Sequence, residues 1–377
     1  MRGSLVVVVT AGLAAGYAAC GSPRTSPAPP PLASSRDGAS PAGGLPSPTA
    51  ASSAMVVPSA TAAPKASATA PGRPSRGPPA PSPPALNPSA RTPSAPCPAE
   101  MAFVDVDHCP DTPSLRVNRR CVRPERGGNA NNLKICLEFA EEVTCHVPRR
   151  RQRFCIDRYE YPSRKGAHPP VMVSAYDADR LCTEQGKRMC FESEWTAACE
   201  GPRELPFPYG YTRSAEMCNI DNPWIIPNLE AVHHVDSAVR GPELMRLDQS
   251  VDSGAMPTCR SEFDVYDLTG NFDEWVRTEW RRGKGRWAGL KGGAWGHVRN
   301  ACRPITTSHV AHWSYYFISF RCCKDPNEEA LPSLPPQAAA RWIPPDAPAP
   351  EHPAGRSLDR GFTPPAGAEL PNRPASR

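Results

Sequence analysis

Val265 to Trp275 reads Val-Tyr-Asp-Leu-Thr-Gly-Asn-Phe-Asp-Glu-Trp, and this stretch is the strongest indication of the chain's architecture. Further on, Leu290 to Trp295 reads Leu-Lys-Gly-Gly-Ala-Trp, and Ser319 to Cys323 reads Ser-Phe-Arg-Cys-Cys. On the residues alone, the first stretch is a strand, a turn and a strand, with Asn271 in the turn and Trp275 in the core.

Upstream of this stretch, the sequence has helix signals and several short motifs. Ser174 with Asp177 three residues later predicts the start of a first helix, and Glu192 to Cys199 predicts a second. The motifs are Pro170-Val171-Met172-Val173-Ser174, Gly186-Lys187-Arg188-Met189, Glu192-Ser193-Glu194-Trp195, Phe207-Pro208-Tyr209-Gly210 and Cys218-Asn219-Ile220.

Taken in this order, the motifs resemble the formylglycine-generating enzyme (sulfatase-modifying factor) family from Cys155 to Cys323. The resemblance implies an α+β, C-type-lectin-like fold that is loop-rich and held by disulfides. It also implies that each of the two helices is tied to the late part of the chain. The two implied disulfide pairs are Cys182–Cys322 and Cys199–Cys302. Apart from the resemblance, Cys190–Cys323 and Cys218–Cys259 are hypothesised as two further pairs.

A calcium site is also implied by the resemblance. In the family, the motif around the Gly-Asn turn supplies oxygen ligands to Ca²⁺. Carried onto this chain, the ligands would be Asp267, the carbonyls of Gly270 and Phe272, and Glu274. A hard cation prefers several oxygens, and a tight turn can aim carbonyls to one side. The alternative is a turn without a metal, capped by Asn271.

The family's oxidase activity uses two cysteines that bind copper(I) as thiolates, and this chain lacks them at the matching positions. Ala294 replaces the family's substrate-contacting Ser, and His297 falls where the first cysteine would be. One imidazole does not replace two soft thiolate ligands. We therefore expect no copper and no formylglycine formation. The late histidines have two interpretations. They are scattered surface or packing residues, or His297, His309 and His312 form an iron or zinc site.

The two ends of the chain have a different composition from its middle. The chain contains 49 prolines, concentrated at the ends, and no aromatic residue lies between Cys20 and Phe103. Such segments bury too little apolar surface to offset the entropy lost on folding. We expect a disordered linker at 20–95, a Cys-rich N-terminal subregion at 96–153, the family-like domain at 154–325 and a disordered Pro-rich tail at 326–377.

Residues 1–19 resemble the signal peptide of a bacterial lipoprotein. A short apolar stretch from Leu5 to Ala15 is too short to span a bilayer. It leads to Gly16-Tyr17-Ala18-Ala19-Cys20, which resembles a lipobox whose Cys20 becomes lipid-modified, although Tyr17 stands where Leu is usual. The alternative is an ordinary secretory signal that is cut near Ala19. Both interpretations predict export.

The cysteine count and the charge narrow the class of protein. Without Cys20, the 15 cysteines leave 14, and an even set in an exported protein indicates a disulfide framework. The net charge is +5, and its densest part, residues 149–153, has no interleaved aromatic residues. Nucleic acid is therefore not an expected partner.

Together these features predict an exported lipoprotein of the bacterial cell envelope, in the periplasm or at the outer membrane, whose lipid anchor makes the membrane a partner. Its domain would be a binding or recognition module for an envelope protein or a glycan. The tryptophans that could line a groove are Trp224, Trp280, Trp287, Trp295 and Trp313. Two alternatives stay open, a divergent metal-dependent oxidoreductase of the family and a structural envelope tether.

Overall fold

The structure is a computed structural model, and it describes residues 95–110, 119–126, 134–296, 299–331 and 361–374. The signal peptide, Cys20, almost all of the predicted linker and His297 lie outside these residues. The described elements, in chain order, are β1 Met101–His108, β2 Cys121–Arg126, β3 Lys134–Phe139, β4 Arg150–Asp157, α1 Ala175–Glu184, β5 Arg188–Met189, α2 Glu192–Glu200, α3 Leu229–Val232, α4 Ser237–Leu247, β6 Asp273–Arg282, β7 Arg286–Lys291, β8 Ile305–Thr306, β9 Ile318–Phe320 and β10 Cys322–Lys324.

Two four-stranded sheets and a hairpin make up the β structure in this part of the chain. The first sheet has the order β1-β4-β10-β5, and the second has the order β8-β7-β6-β9. Strands β2 and β3 form the separate hairpin. The pairing is antiparallel except between β6 and β9, which run parallel. This mixed α and β architecture is the predicted fold class.

Helices α1 and α2 begin and end where local signals place them. The Ser174 hydroxyl accepts from the Asp177 N–H at 3.2 Å, and the Asp177 carboxylate accepts from the Ser174 N–H at 2.9 Å. Gly186 and Gly201 have φ of +65° and +66° just beyond the two helices, a conformation that favours glycine.

Within the described residues, no helix is both long and apolar enough to cross a bilayer.

Two apolar clusters form most of the core. One joins α1 to the second sheet and contains Trp275, Phe320 and Trp295. The other joins α2 to the first sheet and contains Trp195 and Phe154. Each cluster also contains a disulfide that joins a cysteine near α1 or α2 to a cysteine after residue 300.

Seven disulfides bridge the described chain, and they include the two pairs that the family resemblance implies and the two further pairs hypothesised above. Those four are Cys182–Cys322, Cys199–Cys302, Cys190–Cys323 and Cys218–Cys259. The other three pair cysteines whose connectivity the sequence left open, Cys97–Cys155, Cys109–Cys145 and Cys121–Cys136. Bridges of this number are typical of exported proteins.

The Cys-rich segment at 96–153 does not stand apart from the domain that follows it. Strand β1 pairs along its whole length with β4, so the predicted boundary at residue 153 falls inside β4. The physical reason is the alternation in β1, where Val104 and Val106 are buried and Asp107 is exposed. Such alternation is typical of a strand with one face on a core.

Part of the predicted disordered tail also differs from expectation. Phe362 exchanges two backbone hydrogen bonds with Val171, at 2.8 and 2.9 Å. Further along, the Arg373 guanidinium forms an ion pair with Asp252 at 2.6 Å. Residues 361–374 therefore lie against the domain, because one aromatic side chain and a few polar contacts suffice to hold a short segment.

Candidate functional site

The double glycine that follows β7 packs against the turn that precedes β6. The N–H of Gly270 donates to the carbonyl of Gly292 at 3.2 Å, and the N–H of Trp295 donates to the carbonyl of Asn271 at 3.2 Å. Gly292 has a φ of +88°, and a Cβ there would lie 2.8 Å from the carbonyl oxygen of Leu268. Only glycine allows this close approach of the two loops.

The Asn300 side chain binds the backbone of the double glycine and of the residue that follows it. Its Nδ2 donates to three consecutive carbonyls, those of Gly292, Gly293 and Ala294, at 3.3, 3.0 and 2.8 Å. Its Oδ1 accepts from Arg213 at 2.8 Å. No sequence pattern predicts this role, since an isolated Asn has no pattern that reveals its partners.

His297, which falls where the first catalytic thiolate is expected, lies outside the described residues, and buried residues lie on either side of it. Ala294 and Trp295 are buried, and the Trp295 ring meets Phe272 edge to face at 5.6 Å. Cys302 is fully buried and bonded to Cys199 of α2. All 14 cysteines within the described residues are in disulfides, so none of them offers a thiolate.

Glu274, one of the expected calcium ligands, is engaged by a buried arginine. Its two oxygens accept from the Arg321 guanidinium at 2.6 and 2.7 Å, and one of them also accepts from the Trp195 indole at 2.9 Å. The guanidinium donates further to the carbonyls of Asp157 and Tyr266. The Glu274 carboxylate and the Arg321 guanidinium lie inside the protein, where their opposite charges neutralise each other.

The neighbouring carboxylates are also buried and hydrogen-bonded. Asp267 accepts from the N–H of Gly254 at 2.7 Å, and Glu160 accepts from Asn271 and Ser253 at 2.9 and 2.6 Å. Burial raises the pKa of Asp267 to about 7, against the effect of the Gly254 N–H. Burial, together with the charge on Asp267, raises the pKa of Glu160 well above its usual value.

The two side chains of the expected calcium set are already engaged by other groups in this arrangement. Calcium binds carboxylate, carbonyl and water oxygens that are free to point at it. Here both oxygens of Glu274 accept from Arg321, and the Asp267 carboxylate accepts from the N–H of Gly254. Within the described ranges, no group of three or more His, Cys, Asp or Glu side chains is placed to hold a metal ion.

A thermal unfolding experiment checks this conclusion. We expect the Tm in 5 mM CaCl₂ and in excess EGTA to agree within about 1 °C, because a ligand stabilises a fold only through a site that the folded state provides. Differential scanning calorimetry measures the difference. A rise of several degrees with calcium, absent from a Glu274→Gln variant, would contradict it.

Of the histidines named for an iron or zinc site, His297 lies outside the described residues, and neither His309 nor His312 belongs to a cluster within them that could hold a metal ion. His309 stacks on Trp313 with ring centroids 3.6 Å apart, while the His312 side chain is exposed. His233 lies against Tyr315 at 5.8 Å, and His234 accepts from the N–H of Asp236. The described contacts of His309 and His233 are aromatic packing, and that of His234 is a hydrogen bond within a turn.

The tryptophans expected to line a groove divide into two groups. Trp287 and Trp295 are buried core residues, which corrects the expectation for both. Trp280 and Trp313 are half-buried, and Trp224 is exposed. A binding surface that uses these tryptophans would therefore lie around Trp224 and not beside the double glycine.

A comparison of the sequence with known protein families identifies the same family that the turn, the double glycine and the paired cysteines indicate. The family described as "Sulfatase-modifying factor enzyme 1-like domain" matches residues 135–326, more than half of the chain. The chain belongs to this family. The match extends upstream of Cys155 to include strand β3, and it ends just after β10 of the sulfatase-modifying-factor-like domain.

Solved structures with a similar fold were also found. CarF is 14% identical with a TM-score of 0.34, and the match covers 56% of this chain and 98% of CarF. Treponema denticola variable protein 1 is 11% identical with a TM-score of 0.34, covering 57% and 100%. PvdO from Pseudomonas aeruginosa is 16% identical with a TM-score of 0.33, covering 60% and 100%. No curated protein matched.

Proposed function

We propose that this chain is an exported binding module built on a sulfatase-modifying-factor-like domain that does not generate formylglycine. The observation that carries the proposal is the disulfide between Cys199 and Cys302, which engages the one cysteine near the double glycine. With Ala294 and Trp295 packed into the core, the described part of the loop offers no thiolate to a copper ion. Copper(I) binding to paired thiolates then has no ligands there.

The architecture suits a binding role. Long connections between short strands are held by disulfides and by bonds from side chains to the backbone, such as those of the Asn300 side chain to the carbonyls of Gly293 and Ala294. Rigid loops on a stapled scaffold are where proteins of this kind place their recognition residues. An envelope protein or a glycan remains the proposed class of ligand for such a surface.

Attachment through Cys20 is part of the same proposal. The 14 cysteines of the described residues pair with one another, and Cys20 is the remaining one of the 15. This count supports a separate fate for Cys20, such as lipid modification. The protein would then be tethered to a membrane of the bacterial envelope, with calcium and copper unnecessary for its binding role.

An aldehyde assay tests the loss of activity. The purified chain, with its disulfides intact, is incubated with a Cys-x-Pro-x-Arg peptide, copper(I) and oxygen, and aldehyde is captured with an aminooxy probe. We expect no aldehyde above the level without protein, because two thiolates are needed to bind the metal. An active formylglycine-generating enzyme serves as the positive control. Aldehyde formation that depends on this chain would refute the proposal.

A further inference from the structure

Exposed apolar side chains are concentrated in one part of the molecule, which we name the α3–α4 arm (residues 221–247). Of the six large hydrophobic residues that are exposed in the described chain, five lie in this arm. They are Trp224, Ile226, Leu229, Val235 and Val239. Ile226 is 78% exposed and Val235 is 82% exposed, so these side chains contribute little to the core. Concentrated exposed apolar residues mark interaction surfaces.

The arm has an acidic surface on a chain that is basic overall. Residues 221–247 contain four Asp or Glu residues and two Arg residues, whereas the chain has a net charge of +5. Two of the four, Asp221 and Glu243, are bonded to Arg213 and Arg246. Glu230 and Asp236 are exposed carboxylates beside the apolar side chains, and they favour a positively charged partner.

Hydrogen bonds hold the arm in one conformation. The Asn228 N–H donates to Glu243 at 2.7 Å, and the Arg246 guanidinium donates to the carbonyl of Ile226 at 2.8 Å. The buried Arg240 donates to the carbonyl of His234 at 2.7 Å. The exposed side chains are therefore displayed on a fixed backbone, which lowers the entropy lost when a partner binds.

An aromatic row continues the surface beyond the arm. The His233 ring, at the end of α3, lies 5.8 Å from the Tyr315 ring, which stacks on Trp313 at 5.0 Å. These three side chains are half-buried. Aromatic rings at the border of an apolar patch add contact area that requires little ordering.

We infer that the α3–α4 arm is the docking surface for a basic, apolar polypeptide segment of another protein. This inference rests on the proposed binding function and assigns it a surface and a class of partner. A protein segment with Lys or Arg beside apolar residues satisfies both the exposed hydrophobic side chains and the carboxylates of Glu230 and Asp236. An anionic membrane surface has the wrong charge for these carboxylates.

Three synthetic dodecapeptides separate charge from apolarity. They repeat Lys-Leu-Leu-Lys, Glu-Leu-Leu-Glu or Lys-Ser-Ser-Lys three times, and isothermal titration calorimetry at 150 mM salt measures their binding to the purified chain. We expect the basic apolar peptide to bind at least about tenfold more tightly than either of the others. Equal binding of the acidic apolar peptide, or no binding of any peptide, would overturn the inference.

Variants locate the surface. Ile226→Ser combined with Val235→Ser should weaken binding of the basic apolar peptide at least about tenfold, and Glu230→Lys should weaken it severalfold. Val122→Ser is the matched control, since Val122 is the exposed apolar residue outside the arm, and it should leave binding unchanged. Circular dichroism confirms that each variant is folded, as expected for exposed positions.

Two results would refute the location or the partner. The first is an unchanged affinity in the Ile226→Ser, Val235→Ser variant, which would place the peptide elsewhere. The second is binding to vesicles of phosphatidylcholine and phosphatidylglycerol that the same variant abolishes, without peptide binding, which would make the arm a membrane contact. Either result leaves the aldehyde assay unaffected, so failure of this inference is distinguishable from failure of the proposed function.

Discussion

Replacing Cys199 and Cys302 together by serine is expected to lower the free energy of unfolding by about 3–4 kcal/mol, because Cys190–Cys323 stays in place and shortens the loop that is released. The two cysteines are 103 residues apart in sequence, and their bridge ties α2 to the segment after the double glycine. Without it, the unfolded chain regains the freedom of a long loop. Urea unfolding of the oxidised protein, followed by fluorescence, measures the change.

The hairpin disulfide provides a matched control for this experiment. Cys121 and Cys136 are 15 residues apart, so the same substitution there is expected to cost less, about 3 kcal/mol. A loss at the long bridge that does not exceed the loss at the hairpin would contradict the loop-entropy argument. No loss at all for the Cys199, Cys302 pair would mean that the two sulfurs are not bonded, and the oxidase interpretation would then return.

The features that the sequence revealed are those with a local pattern or a family motif. The capping box at Ser174 and Asp177 lies within one helical turn, so the residues alone indicate it. The disulfide partners of Cys182 and Cys199 came from the family resemblance, because cysteine spacing alone leaves many connectivities open. The family domain itself was found from the order of its short motifs.

The features that the sequence did not reveal depend on contacts between distant residues. Asn300 reaches three loop carbonyls and Arg213, and nothing near it in sequence announces this. Strand β1 was missed as a member of the first sheet because its partner begins more than 40 residues later. The exposure of Ile226 and Val235 is equally a tertiary property, since the same residue types are usually buried.

The calcium motif shows how a correct motif can still need the surrounding structure for its interpretation. Asp267, Gly270, Phe272 and Glu274 stand in the expected order, and the turn forms as expected, with Gly270 at a φ of +83°. The charge beside the turn, however, comes from Arg321, which lies nearly 50 residues after Glu274. A motif read by itself contains no information about this partner.

Removal of Arg321 is therefore expected to destabilise the protein strongly. Arg321→Met should lower the free energy of unfolding by about 3–5 kcal/mol, because it leaves the carboxylate of Glu274 buried without its partner. The fully buried guanidinium also donates to the carbonyls of Asp157 and Tyr266, and these bonds are lost with it. Urea unfolding at neutral pH, without added metal, measures the loss.

Two further variants make the interpretation specific. Arg321→Met combined with Glu274→Gln should recover part of the loss, since the uncompensated charge is then removed. Arg180→Met breaks a half-exposed pair with Glu184 on α1 and should cost less than about 1 kcal/mol. If Arg321→Met were as mild as this surface control, Arg321 would not be the charge that neutralises Glu274. A calcium ion would then be the natural replacement, and the Tm of the wild-type protein would have to depend on it.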